Sequence, residues 1–194
     1  MEILTSPTGQ GGLFLFQFVV GLVIFALMLR FMLRATYADW RNPIVQFIAK
    51  VTNPLCLPVN KVVGTRGGRW DWAAIITALI IQAIFVYLIG MLTQRDYGVG
   101  FIALASVTEI LNQLLDMMFW LIVIQVILSW VSPNENPNTE IFKQMTRPIL
   151  EPFQRVIPPM GGFDLSPIAA ILAIKLLQIV VVGSIAQLAQ GMIV

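Results

Sequence analysis

The chain has 194 residues, of which 58% are hydrophobic and only 11% charged, where an average soluble domain carries about 25% charged residues. That excludes an ordinary soluble enzyme. Histidine is absent and Cys56 is the one cysteine, so no Ser-His-Asp triad, disulfide or Cys-x-x-Cys pair can form, and imidazole ligation of zinc or haem is excluded. No cofactor is expected, and a net charge of +2 gives no reason to expect nucleic acid as a partner.

The few charges are unevenly placed. None falls between Glu2 and Arg30, between Asp71 and Arg95, between Asp116 and Glu135, or after Lys175. About 20 apolar residues cross a hydrocarbon core of ~30 Å, so these gaps predict transmembrane helices. The first span is expected over about 13–35, after a tail of residues 1–12. That tail lacks Lys and Arg, and so reads as part of a retained anchor, not a cleaved signal. The second span is expected over about 72–93 and the third over about 110–131, with 94–109 as a connector that is partly amphipathic helix. The fourth is expected over about 167–190, opening at Ser166-Pro167, where proline suits the first turn and Ser166 or Asp164 can cap it.

Basic residues in the flanks set the orientation. Seven fall in 30–71 and three in 132–165, against Arg95 alone in 94–109 and none in the tails. The two basic segments are therefore expected on the cytoplasmic side, with both termini outward. The tryptophans Trp40, Trp70, Trp72, Trp120 and Trp130 are expected mostly at span ends, as in an aromatic belt.

The chain also repeats itself. A shift of 94 residues superposes Asn42-Pro43 on Asn136-Pro137, Thr52 on Thr146, Pro54 on Pro148, Pro58 on Pro152 and Gly67-Gly68 on Gly161-Gly162. With one residue fewer, Asp71 meets Asp164, Ile75 meets Ile168 and Leu79 meets Leu172. The units are 13–93 and 110–194. Each is helix, basic loop, helix, so the copies enter the membrane in the same direction. Inside each loop an Asn-Pro pair opens a short helix with one apolar face, Ile44, Val45, Phe47, Ile48 and Val51 in the first copy and Ile141, Phe142 and Met145 in the second. Such a helix lies in the membrane interface. Pro54 and Pro148 are expected to end these helices. The fold predicted is an all-α integral membrane protein with four transmembrane helices as two tandem parallel-repeat hairpins, each with a short amphipathic interfacial helix in its cytoplasmic loop.

In the second copy, Ser129-Trp130, Asn136-Pro137, Arg147-Pro148-Ile-Leu-Glu151-Pro152-Phe153-Gln-Arg155 and Pro158-Pro159-Met-Gly161-Gly162-Phe-Asp164-Leu-Ser166-Pro167 resemble the repeat of the YggT family. The first copy is degenerate: Ala35-Thr36 stands for Ser-Trp, Asn53 for the arginine, and Asp71-Trp-Ala-Ala for Asp-Leu-Ser-Pro. The resemblance covers most of the chain. It implies a multi-pass protein of the bacterial inner membrane, with relatives associated with osmotic-stress tolerance, cation homeostasis, cell division and, in chloroplasts, cytochrome b6f maturation. The family offers no catalytic residues to carry over.

Polar residues within spans are functional hypotheses by default. Lys175 is expected near the midplane of the fourth span, and its repeat equivalent is Gln82. The pair reads either as a site between the two halves, or as a snorkelling lysine and an ordinary interhelical amide. Glu109, Asn112, Gln113 and Asp116 share one helical face. That stripe reads either as an acidic lining that leads cations toward Gln125 and Lys175, or as a solvent-facing stretch before the third span. Arg41, Lys50, Lys61, Lys143, Arg147 and Arg155 are the residues expected to meet anionic lipid headgroups or a membrane or cytoplasmic protein. The leading expectation is a non-enzymatic factor of osmotic-stress or envelope homeostasis, or of membrane assembly. The alternative is a subunit of an oligomeric ion channel or cation transporter, since a four-span protomer is small for a pore.

Overall fold

The computed structural model describes residues 6–64, 68–131, 137–157 and 164–192, the side chains of 137–139 excepted. The expected cap Asn136, the pairs Pro158-Pro159 and Gly161-Gly162, and Arg66 and Gly67 lie outside the described residues. Every described element is helical. The helix α1 runs Pro7–Ala35, α2 Pro43–Val63, α3 Trp72–Thr93, α4 Val99–Val131 and α5 Pro137–Val156. The last rod joins α6 (Ser166–Leu177), a π-helical turn (Gln178–Val182) and α7 (Gly183–Gln190).

Local chemistry sets these boundaries. Ser6 opens α1 by accepting from the Gly9 N–H at 3.1 Å, and Asn42 opens α2 by accepting from Ile44 N–H at 2.8 Å. Pro7 and Pro43 follow these caps, where a missing N–H costs nothing. Gly64, at φ 65°, closes α2 in the left-handed conformation that glycine adopts without a Cβ clash. Asp164 accepts from the Ser166 N–H at 2.9 Å and so starts α6.

The helices α1, α3 and α4, and the rod Ser166–Gln190, are each long and apolar enough to cross a membrane. Their outward faces are apolar, with Phe14, Phe18, Leu22, Ile84, Leu172 and Ile179 all exposed. A continuous apolar exterior suits lipid, not water. The core is one cluster where α1 (Ile24, Leu27, Met28), α2 (Cys56), α3 (Ala74, Ala78) and α4 (Met117) converge, with Ile141 and Met145 of α5 joining it. A smaller cluster joins Ile122 of α4 to Leu150 of α5 and to Ala170 and Ile174 of α6.

Both loop helices sit at the same end of the bundle. Asp39, Arg41, Asn42 and Pro43, before and at the start of α2, line one cleft with Glu140, Ile141 and Gln144 of α5. The two basic segments thus share a side, as their composition predicts.

One sequence expectation needs correction. The prolines do not end the loop helices: α2 continues through Pro54 and Pro58, and α5 through Pro148 and Pro152. An interior proline removes one intrahelical hydrogen bond. Here the four-residue spacing puts each pair on one exposed face, so the freed carbonyls of Lys50 and Pro54 lie beside solvent or headgroups. On the opposite face Val45, Ile48, Thr52 and Cys56 are buried against the bundle, and this packing holds the helix together. A third stripe (Ile44, Phe47, Val51, Leu55) is apolar and exposed, as a helix bedded in an interface requires.

The helical part of the connector is continuous with the third span. Residues 99–131 form a single helix of 33 residues, ~50 Å long, and only 94–98 link it to α3. That tight link turns at Gln94, φ 54°, with the Arg95 N–H donating to the Gly90 carbonyl at 2.9 Å. Gly90 is required there, because a Cβ would stand 2.7 Å from Tyr97 Cδ2 and 3.0 Å from the Arg95 oxygen.

Candidate functional site

The polar residues of the spans gather in two adjoining places. The first is a cavity of about 520 Å³ between α1, α3 and α4, toward the end opposite the loop helices. Glu109, Asn112, Gln113 and Asp116 of α4 line it together with Gln82 of α3 and Gln17 of α1. The acidic stripe therefore looks into a cavity between spans, where the sequence had left an open choice. Gln113 crosses to α1 and donates from Nε2 to the Gly21 carbonyl at 3.1 Å. Gln82 is only 8% exposed, lines the cavity, and makes no side-chain hydrogen bond to a described residue. Phe85, Tyr97 and Phe101 supply its aromatic wall.

The second place is the face between α4 and the fourth span. Lys175 Nζ lies 3.3 Å from Asp116 Oδ1 and donates to Gln178 Oε1 at 2.8 Å. Gln178 Nε2 closes the triangle by donating to Asp116 Oδ1 at 2.8 Å. The Lys175 ammonium also sits 4.6 Å from the centroid of Phe119, an aromatic face that favours a cation. The lysine thus turns sideways to a carboxylate, where the sequence alone left snorkelling open. Asp116 belongs to both places, so it links Lys175 to the cavity that Gln82 lines.

Gln178 escaped the sequence reading. The signal was present: it stands three residues after Lys175, on the same helical face. Its position also begins the π turn, a local widening that recurs at functional sites. Gln125, by contrast, does not join the cluster. Nine residues after Asp116, it projects from the opposite side of α4, and its Oε1 is buried without a hydrogen-bond partner among the described residues.

A third polar cluster, also missed in the sequence, ties the first repeat together at the loop-helix end. Arg30 donates from Nε to Asp71 Oδ2 at 2.8 Å, and from one terminal nitrogen to Thr52 Oγ1 at 3.0 Å and Asn53 Oδ1 at 2.7 Å. Arg34 reaches the same Asp71 oxygen at 3.1 Å. Burial alone would raise the Asp71 carboxyl, but the hydrogen bonds and charges of Arg30 and Arg34 outweigh it and hold the group below its ordinary value of 3.8. Asp71 Oδ1 meanwhile accepts from the Ala74 N–H at 3.3 Å and starts α3.

The second repeat solves the same problem without arginine. Its Asp164 accepts from Gln154 Nε2 at 2.9 Å. Burial raises that carboxyl too, and the bonds from Ser166 and Gln154 more than offset it, so its value is lowered. The basic residues expected to meet partners (Arg41, Lys50, Lys61, Lys143, Arg147 and Arg155) all stand exposed on or beside α2 and α5. Arg155 is tied to Glu151 at 2.7 Å, and this bond and charge lower the glutamate's pKa. Among the described residues no group of three or more Asp, Glu or Cys side chains converges to ligate a metal ion.

Two stretches, 10–92 and 104–185, match the model of one protein family, CCB3/YggT. The chain belongs to the CCB3/YggT family. A YggT match that occurs twice agrees with the 94-residue repeat, and its two stretches fall on α1–α3 and on α4 through the fourth span. An uncharacterized protein of Pseudomonas aeruginosa is 36% identical over 179 residues, covering 90% of this chain and 89% of the relative. The uncharacterized YggT of Escherichia coli K12 is 31% identical, covering 82% of each chain. A Vibrio alginolyticus relative, described as lying in the proC 3′ region, is 30% identical over 84% of this chain and 88% of its own length. No solved structure matches this YggT chain.

Proposed function

We propose that the chain is a non-enzymatic YggT-type protein of cation and osmotic homeostasis in the bacterial inner membrane, both termini periplasmic, whose intramembrane cavity receives a cation from the outer side. One observation carries this reading: Gln82, buried and without a side-chain hydrogen bond among the described residues, shares a cavity with Glu109 and Asp116. Amide oxygens and carboxylates together replace part of a cation's hydration shell. Lys175 then acts as a tethered counter-cation that an entering ion displaces from Asp116. The ten basic residues on the loop side support the orientation.

Potassium and sodium flux into proteoliposomes of the purified chain tests the reading. The expected result is flux above that of empty liposomes, reduced by Glu109→Gln and Asp116→Asn and altered in rate by Lys175→Gln. Flux equal to that of empty liposomes for both ions overturns it.

The exposed bases of α2 and α5 favour a second reading, an assembly factor that docks on anionic headgroups or on another protein through Lys50, Lys61, Lys143 and Arg147. Its mark would be a co-purifying partner lost in Arg147→Gln/Arg155→Gln while ion flux stays absent.

A further inference from the structure

We propose that a cavity at the loop-helix end of the first repeat binds the phosphate group of an anionic amphiphile, one molecule per chain. The cavity, about 290 Å³, is lined by Arg30, Arg34 and Arg69 against one carboxylate, Asp71, among the described residues. Both Arg30 and Arg34 spend that carboxylate's single negative charge, at 2.8 and 3.1 Å from the same oxygen. The lining therefore carries a net charge of +2 in a half-enclosed, low-dielectric place, which favours an anion.

Arg69 is fixed at the rim. Its Nε donates to the Ala35 carbonyl at 3.2 Å, and its guanidinium lies 5.6 Å from the Tyr37 ring and 5.3 Å from the Trp70 ring. Planar guanidinium groups match phosphate oxygens in geometry as well as charge. The remaining wall is apolar, formed by Leu33, Ala38, Val45, Ile48 and Ala49. A phosphate with a hydrocarbon continuation fits both halves of this lining.

The cavity's place in the fold agrees. It lies at the end of α1, beside the exposed Trp40, Trp70 and Trp72, which mark the headgroup level of a bilayer. The second repeat lacks the device, since Ile124 and Leu128 occupy the positions equivalent to Arg30 and Arg34. The shared ligand chemistry is a phosphate ester or free phosphate.

The full chain is reconstituted with equal parts phosphatidylglycerol and phosphatidylcholine, extracted in mild detergent, and its retained lipid counted by native mass spectrometry. The expected result is one phosphatidylglycerol per chain, preferred about thirtyfold, as two extra arginines imply. Arg34→Gln/Arg69→Gln abolishes the preference, and Arg95→Gln, at the opposite end of the bundle, keeps it. Ala49→Phe fills the apolar wall with every charge in place and also loses the lipid, so it decides the matter where the arginine variant fails to fold. A second arm adds inorganic phosphate to delipidated protein. A rise in melting temperature that Arg34→Gln/Arg69→Gln removes, without lipid preference, assigns the site to the free anion. Equal retention of both lipids with no phosphate effect, or a preference that survives both cavity variants, overturns the proposal.

Discussion

Arg30 and Arg34 converge on a single oxygen of Asp71, a carboxylate with no exposed surface that also starts α3. One side chain therefore fixes the end of the first span to the beginning of the second. Removing one partner of such a group leaves buried charge uncompensated, at a cost of about 3–5 kcal/mol. Asp71→Asn keeps the shape and still accepts hydrogen bonds, so its loss belongs at the lower end. The check is thermal or denaturant unfolding in mild detergent, and an unchanged midpoint would refute it.

The same carboxyl makes stability depend on pH. Its folded pKa lies below 3.8, its ordinary value. A lowered carboxyl contributes stability that is complete above the unfolded value and drains away as pH falls through the folded one. Melting temperature should thus be level near neutrality and decline below about pH 4. In Asp71→Asn the decline should be shallower, with the remaining slope due to groups such as Asp164, which is also lowered.

Lys175 and Asp116 form a pair across α4 and α6 with Gln178 as a third member. Both charges are about half exposed, so the pair's worth as an ion bridge is discounted. Within the spans, however, each single neutralisation strands the other charge near the bilayer interior. A cycle of Asp116→Asn, Lys175→Gln and the double variant should give a coupling of about 1 kcal/mol, with the double variant more stable than the two single losses would add to. Strict additivity would show that the contact carries no energy.

Two glycines should respond in opposite ways. At Gly90 an alanine Cβ meets Tyr97 at 2.7 Å and the Arg95 carbonyl at 3.0 Å, so the turn must shift, at about 1–3 kcal/mol. At Gly21 nothing lies within 4 Å of the added Cβ, and helix propensity alone favours alanine by up to about 1 kcal/mol. Melting temperatures of the two variants should therefore move apart, and a common direction would contradict the geometry.

Pro54 interrupts the hydrogen bonding of a helix that nevertheless continues. Pro54→Ala should return a partner to the Lys50 carbonyl and raise stability by about 1–3 kcal/mol. A fall would mean that the interruption itself is part of the packing.

How far the sequence could be read depended on the kind of signal. Spans, and the common end at which the two basic loops lie, follow from long, one-dimensional patterns, so the charge-free runs and the clustered bases located them. The repeat was legible because prolines and glycines keep their spacing. Pro54 was misread because local stereochemistry forbids what tertiary burial of Val45, Ile48, Thr52 and Cys56 then enforces. Arg30 and Arg34 were legible only as markers of sidedness, since Asp71 lies 41 and 37 residues away. The carboxylates Asp71 and Asp164 correspond between the two repeats but the arginine positions diverge, so the copy that departs from the family motif is the one with the buried ion cluster. Gln125 shares the third span with Asp116, but angle around α4 separates the two.

The π turn at Gln178–Val182 has a consequence for the length of the fourth span. Ala170 and Ile174 pack on α4 and α5, and Val182 and Ala189 farther along are buried on the side toward α4. In a straight helix, eight residues from Ile174 to Val182 overshoot the face by most of a quarter turn. The wider turn absorbs one surplus residue and brings the two halves of the rod back into phase, like a slack link in a chain. Deleting a residue from Ile179 to Val181 should therefore convert the turn to ordinary helix while leaving both ends in register, so this span can lose a residue where its neighbours cannot.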